Sequence, residues 1–147
     1  MEKEFIPYEQ ALELKELGLD VPCFGYYVDG EIRGINLGYE EFGGVKPYYQ
    51  RFGFHTITNN DIDNSSKVVV STPLYQQAFR WFREKYGLYS MIDVDQTMEP
   101  KFCYTLSRYK GDFQWDNILP SYSELYYTYE EAELACLKKL IEIVKNK

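Results

Sequence analysis

His55 is the single histidine among the 147 residues, and that alone limits the chemistry open to the chain. A two-histidine metal site and the HExxH pattern are excluded, and any histidine-dependent triad has to use this residue. Cys23 or Cys103 with His55 is the thiol–imidazole pair on offer, and nothing in the sequence around either cysteine supports a nucleophile. Asp61-Ile62-Asp63-Asn64-Ser65 opens like a calcium loop, but Ser66 stands where the sharp turn needs glycine and Thr72 where a bidentate glutamate is required. Asp93 and Asp95 point to one side if their segment is extended, near a strand end of the kind where open α/β sheets bind ligands. Metal-assisted hydrolysis would need further acids or histidines converging there, and none can be named. No GxGxxG, Walker A or GxSxG pattern is present. The sequence therefore supports no catalytic residue, no metal ligand and no cofactor, and a protein that is not an enzyme is the favoured reading.

The aromatic content is more informative. Fifteen tyrosines, nine phenylalanines and two tryptophans make 18% of the chain, and several lie where no regular period can be assigned. Between Gly34 and Ser66, glycines are interleaved with Tyr39, Phe42, Tyr48, Tyr49, Phe52 and Phe54. Aromatics with glycine and nearby cations can stack on a planar ligand or anchor a protein interface. Core packing accounts for many of them, but Tyr48 and Tyr49 after Lys46-Pro47 follow neither a helical nor a strand repeat. Tyr39, Phe42, Tyr48, Tyr49, Arg51 and His55 are the candidate binding residues.

The elements that must position such a site are organised around Lys67 to Asp93, which reads as strand, helix, strand. Lys67-Val68-Val69-Val70 has the β-branched content of a buried strand, and Ser71-Thr72-Pro73 supplies a cap followed by a proline suited to the first helical position. Leu74, Tyr75, Ala78, Phe79, Trp81, Phe82 and Tyr86 then recur at three- and four-residue steps, and Gly87 ends the helix. Leu88 to Val94 is the second strand, so the helix is expected to cross one face of a sheet. Before this unit, Phe5 to Leu17 reads as a helix closed by Gly18, Cys23 to Val28 as a strand, and Asp29-Gly30 as a hairpin turn into Glu31-Ile32-Arg33. Phe52 to Thr58 is strand-like and Asn59 to Ser66 a polar turn. After it, Lys101 to Arg108 alternates as a half-buried strand, Lys110-Gly111-Asp112 reverses into Phe113-Gln114-Trp115, and Asp116 to Tyr127 is an irregular connection. Thr128 with Glu131 forms a capping box for the last helix, whose apolar face is Ala132, Cys136, Leu137, Leu140, Ile141 and Val144; Tyr127 is placed to staple onto Ala132. All three helices open on a Tyr-x-x-Ala pattern, at Tyr8, Tyr75 and Tyr129, as suits helices lying close on a sheet.

These elements predict one domain spanning residues 1–147, α/β in the α+β sense, with a mixed, mostly antiparallel sheet of four to six strands and two or three flanking helices. Three cysteines at wide spacings argue against a disulfide framework or zinc site and read as small buried hydrophobes. A net charge of −7 disfavours direct nucleic-acid binding, and the absence of a signal-peptide pattern or a long apolar run predicts a cytoplasmic protein that does not enter a membrane.

YEQALELKELGLDVPCFGYY, STPLYQQAFRWFREKYGLYSMI and TYEEAELACLKKLIEIVKNK together resemble a group of small uncharacterised proteins of bacteriophages and integrated mobile elements, particularly of Bacteroidetes. The resemblance implies a bacterial cytoplasm and an accessory role, and it brings no site residues with it. The leading expectation is a non-catalytic accessory protein that binds a host or phage protein. The first alternative is a small-ligand or nucleotide binder, with or without weak hydrolase activity, using Tyr39, Tyr48, Tyr49, Arg51 and His55 around a pocket. A third reading takes the acidic surface as a nucleic-acid mimic that inhibits a DNA-binding enzyme, and a homodimer is compatible with all three.

Overall fold

A computed structural model describes residues 2–34, 57–61, 69–95, 101–119 and 124–146. The chain divides into two compact units, Met1–Leu74 and Tyr75–Lys147, each with its own three-stranded antiparallel sheet.

In the first unit the opening helix α1 (Tyr8–Glu16) starts after Pro7, which has no amide hydrogen to lose, and buries Ala11 and Leu14. It packs on β3 (Val69–Thr72), the edge strand of a sheet ordered β2-β1-β3, with β1 at Gly25–Val28 and β2 at Glu31–Gly34. Asp29 and Gly30 join β1 to β2 with φ of 50° and 82°, the paired left-handed geometry that makes Asp-Gly a tight hairpin turn. Ile6 locks the chain entry: its amide donates to Pro73 O at 3.1 Å, and its carbonyl accepts from Thr72 Oγ1 at 2.8 Å and Tyr27 OH at 3.0 Å. Val28 and Val69 pack with Tyr26 and Ile57. Ile57 forms a bridge with Cys23, and Asn59–Asp61 follows as a 3-10 turn.

In the second unit α2 (Tyr75–Tyr86) and α3 (Tyr129–Lys145) pack on each other and on a sheet ordered β4-β5-β6, with β4 at Leu88–Asp95, β5 at Lys101–Gly111 and β6 at Gln114–Leu119. Its fully buried side chains include Phe82, Leu88, Leu106, Leu137, Leu140 and Ile141. Gly87, at φ 63°, stops α2 as expected. The capping box of α3 is complete: Glu131 N donates to Thr128 Oγ1, and Thr128 N to Glu131 Oε2. Tyr127 is exposed with Lys101 Nζ over its ring. Ala11, Ala78 and Ala132 are all buried, as the shared Tyr-x-x-Ala openings suggest.

The α+β class stands, and the six strands among the described residues fall within the expected four to six, but they form two sheets of three. β3 and β4 flank α2 without sharing a sheet. Within the first unit the outer edge of β3 is closed by side chains: Lys15 Nζ donates to Val69 O at 3.1 Å and Ser71 N donates to Asn59 Oδ1 at 3.0 Å. β4 instead pairs along its whole length with β5. Several boundaries also move: α1 begins at Tyr8 rather than Phe5, β1 at Gly25 rather than Cys23, and β5 runs on to Gly111 rather than Arg108. Ser71 and Thr72 extend β3 because both are buried and hydrogen-bonded, so the helix begins at Tyr75 and Leu74 bridges to Phe5. Phe113 sits in a turn, while Asp116 to Leu119 continues β6.

Candidate functional site

Tyr39, Phe42, Tyr48, Tyr49, Arg51 and His55 lie outside the described residues. The site that the described residues build is elsewhere, on the second sheet.

Cross-strand partners in an antiparallel sheet project to the same face. In β4–β5 the register opposes Leu88 to Arg108, Ser90 to Leu106, Ile92 to Tyr104 and Val94 to Phe102; this face carries α3. The other face carries Tyr89 opposite Ser107, Met91 opposite Thr105 and Asp93 opposite Cys103. β6 extends it with Asn117 opposite Ser107 and Trp115 opposite Tyr109. Burial follows the alternation along β4, where Leu88 is buried while Tyr89, Met91 and Asp93 are exposed.

Three of the outer-face side chains form one cluster. The Trp115 ring meets Tyr89 at 4.9 Å between centroids and 74° between planes, and Tyr109 at 5.1 Å and 53°. Such edge-to-face contacts hold each ring in a defined orientation. Ser107 Oγ donates to Asn117 Oδ1 at 3.2 Å beside them. Solvent still reaches 37% of Tyr89, 43% of Tyr109, 52% of Trp115 and 58% of Met91. Further along β4 the same face carries Asp93, whose Oδ1 accepts from Val94 N at 2.8 Å, and Asp95, which is paired in register with Lys101. Among the described residues, no three of His, Cys, Asp and Glu converge as metal ligands.

Chemistry on the helix-covered side is muted. Burial raises the Tyr104 phenol, helped by Glu124, and raises Tyr126 as well, whose hydroxyl is hydrogen-bonded to Glu124. These groups remain neutral phenols at neutral pH and cannot serve there as bases. Burial likewise pushes the Cys23 thiol up to about 11 and the Cys136 thiol up to about 12, outweighing the lowering influence of the nearby Ser71 and Ser90. All three cysteines are free and buried, as the spacing suggested. Thiols held so far above neutral pH are poor nucleophiles.

The outer face was legible in part. Tyr89 and Met91 occupy the solvent phase of an alternating strand, which is a signal, whereas Trp115 joins them through its cross-strand pairing with Tyr109, a register that the sequence does not specify. Comparison with known proteins finds no matching family model, no matching curated protein and no matching solved structure. None of the described helices is long and apolar enough to cross a membrane.

Proposed function

We propose that this chain is a non-catalytic accessory protein that binds a protein of its host or of the mobile element encoding it, and that the partner docks on the outer face of β4-β5-β6. The observation that carries the proposal is the mutually packed and solvent-exposed cluster of Tyr89, Tyr109 and Trp115. Aromatic side chains with a fixed orientation and an exposed edge bind at little entropic cost, which is why tyrosine and tryptophan dominate the energetic centres of protein interfaces. The 74° and 53° ring angles favour a protein partner over a planar ligand, because these pairs offer no parallel faces between which a base or nucleotide could be sandwiched. A nucleic-acid mimic is less well supported, because acids stand beside cations at Lys110–Asp116 and Lys139–Glu142.

The test is photo-crosslinking in the producing cell from a benzophenone amino acid at Met91, with Lys138 on the exposed side of α3 as the control position. A single protein adduct from Met91, abolished by Tyr89→Ser with Trp115→Ser and absent from Lys138, is the expected result. No adduct, or the same adducts from both positions, refutes the docking face.

A further inference from the structure

Among the described residues, two tight hairpin turns place two consecutive residues in the left-handed region, the second turn directly after Gly111 at φ 91° and a register shift, and they differ in what fills the second of those positions. Asp29-Gly30 has φ of 50° and 82°, and Asp112-Phe113 has φ of 47° and 60°. The second position of such a turn needs a left-handed backbone, which glycine adopts freely and a bulky side chain adopts only with strain. Glycine fills it in the first hairpin. In the second it is phenylalanine, and the ring gains nothing from the fold in return, since Phe113 is 95% exposed. A residue that is both backbone-strained and unburied is poorly explained by stability, and strain of this kind concentrates at functional positions.

We infer that Phe113 is the anchor of the interface, inserted into an apolar pocket on the partner protein. This inference rests on the docking reading above. The turn lies at the end of β5 and β6, the strands that carry Tyr109 and Trp115, so the anchor is continuous in sequence with the aromatic cluster. Phe113, Trp115, Tyr109, Tyr89 and Met91 together expose about 500 to 600 Å² of mostly apolar side chain. With a polar rim, that approaches the roughly 800 Å² per partner of a standard complex between two different proteins, and it falls short of what an obligate dimer of identical chains buries. Charge defines the pocket's surroundings. Lys110 is neutralised by Asp116, so exposed Asp112 beside the anchor leaves the tip acidic, and the complementary pocket has a basic rim.

Two measurements test the inference, and they separate its failure from that of the docking face. In the first, Phe113→Gly places at this turn the residue that the other hairpin already uses. Its midpoint of thermal unfolding should be equal to or above that of the parent, by up to about 4 °C. A lower midpoint would show that Phe113 serves the fold, and would overturn the inference. In the second, a benzophenone amino acid replaces Phe113 itself, keeping a large aromatic at the tip. The expected adduct joins position 113 to apolar side chains lining one pocket of the protein that Met91 also labels, and Phe113→Gly weakens binding of that purified protein by about 30-fold or more. An adduct from Met91 with none from 113, or binding within threefold of the parent, removes the anchor and leaves the face. A pocket adduct from 113 with none from Met91 keeps the anchor and removes the face. No adduct from either position removes both.

Discussion

Asn59 bonds to Ser71 in place of a β-strand: its Oδ1 accepts from the Ser71 amide at 3.0 Å, while its Nδ2 donates to Leu19 O at 2.8 Å. One side chain thus occupies an edge donor of β3 and ties it to the loop after α1. Asn60 adds to the same junction, its backbone amide donating to Asp20 Oδ1 at 3.1 Å. Asn59→Ala leaves the partly buried Ser71 amide and Leu19 carbonyl without these partners, which costs about 1 to 3 kcal/mol. Urea unfolding should show a lower midpoint at constant slope. Because β3 loses half of its edge protection, the variant should also self-associate at concentrations where the parent does not. An unchanged midpoint would mean that water replaces Asn59 freely.

Thr128 and Glu131 define the start of α3 and give a prediction of smaller size. Glu131 N donates to Thr128 Oγ1 at 3.1 Å, and the Glu131 carboxylate accepts from both Tyr127 N and Thr128 N. Thr128→Ala removes the cap and should destabilise the protein by about 0.5 to 2 kcal/mol, whereas Thr128→Ser should stay within a few tenths of the parent. Amide exchange locates the effect: the first turn of α3 should lose protection before its C-terminal turns. Uniform loss along the helix would contradict a capping role.

Phe82 is fully buried on α2, with Trp81 edge-on at 5.0 Å and Tyr86 at 6.0 Å between ring centroids. Phe82→Ala should cost about 3 to 5 kcal/mol, a large part of the stability of a chain this size. Phe82→Leu keeps most of the apolar volume and should cost about 1 kcal/mol. Chemical denaturation of the two variants side by side distinguishes them, and equal losses would mean that ring geometry rather than volume sets the packing.

Phe82 and the capping box were both legible because the information is local. A helical stripe and a four-residue cap specify themselves, and so does Asp-Gly at a hairpin. The side-chain closure of β3 was not legible, since it depends on Lys15 and Asn59 reaching an edge more than ten residues away in sequence. The extension of β3 through Thr72 escaped for the same reason: Ser-Thr-Pro looks like a helix start, and the contacts of Thr72 with Ile6 that hold it extended are remote. Phe113 was read as a strand residue because phenylalanine favours strands, and only the backbone shows it in the position that glycine would take. The aromatic excess itself was visible in the composition. The residues that display it among those described come from an alternating strand and a hairpin rather than from the Gly34–Ser66 segment, whose candidates at Tyr39 to His55 lie outside the described residues.

The buried thiols predict how stability changes in alkali. Burial raises Cys23 and Cys136 from the ordinary 9.0 to about 11 and about 12 in the folded protein. An unfolded chain ionises these thiols near pH 9, while the folded chain keeps their protons, so above that point the unfolded state binds fewer protons and is favoured. The stability associated with the two groups is complete below about pH 8 and declines as pH rises from 9 towards 11 and 12. By pH 10 the loss should reach roughly 2 to 3 kcal/mol for the pair. Tyr104, Tyr126 and Tyr129, also raised chiefly by burial, act in the same direction from about pH 9 upward, about one unit below the ordinary phenol value of 10.0. The part of the decline between pH 7 and 10 that Cys23→Ala with Cys136→Ala removes belongs to the thiols, and the double variant should flatten the profile while lowering its plateau. The parallel chemical test is labelling with a thiol reagent at pH 8, where the three buried cysteines should react no faster than the protein unfolds. Rapid labelling of the folded protein, or a profile that rises towards pH 10, would contradict the burial on which both expectations depend.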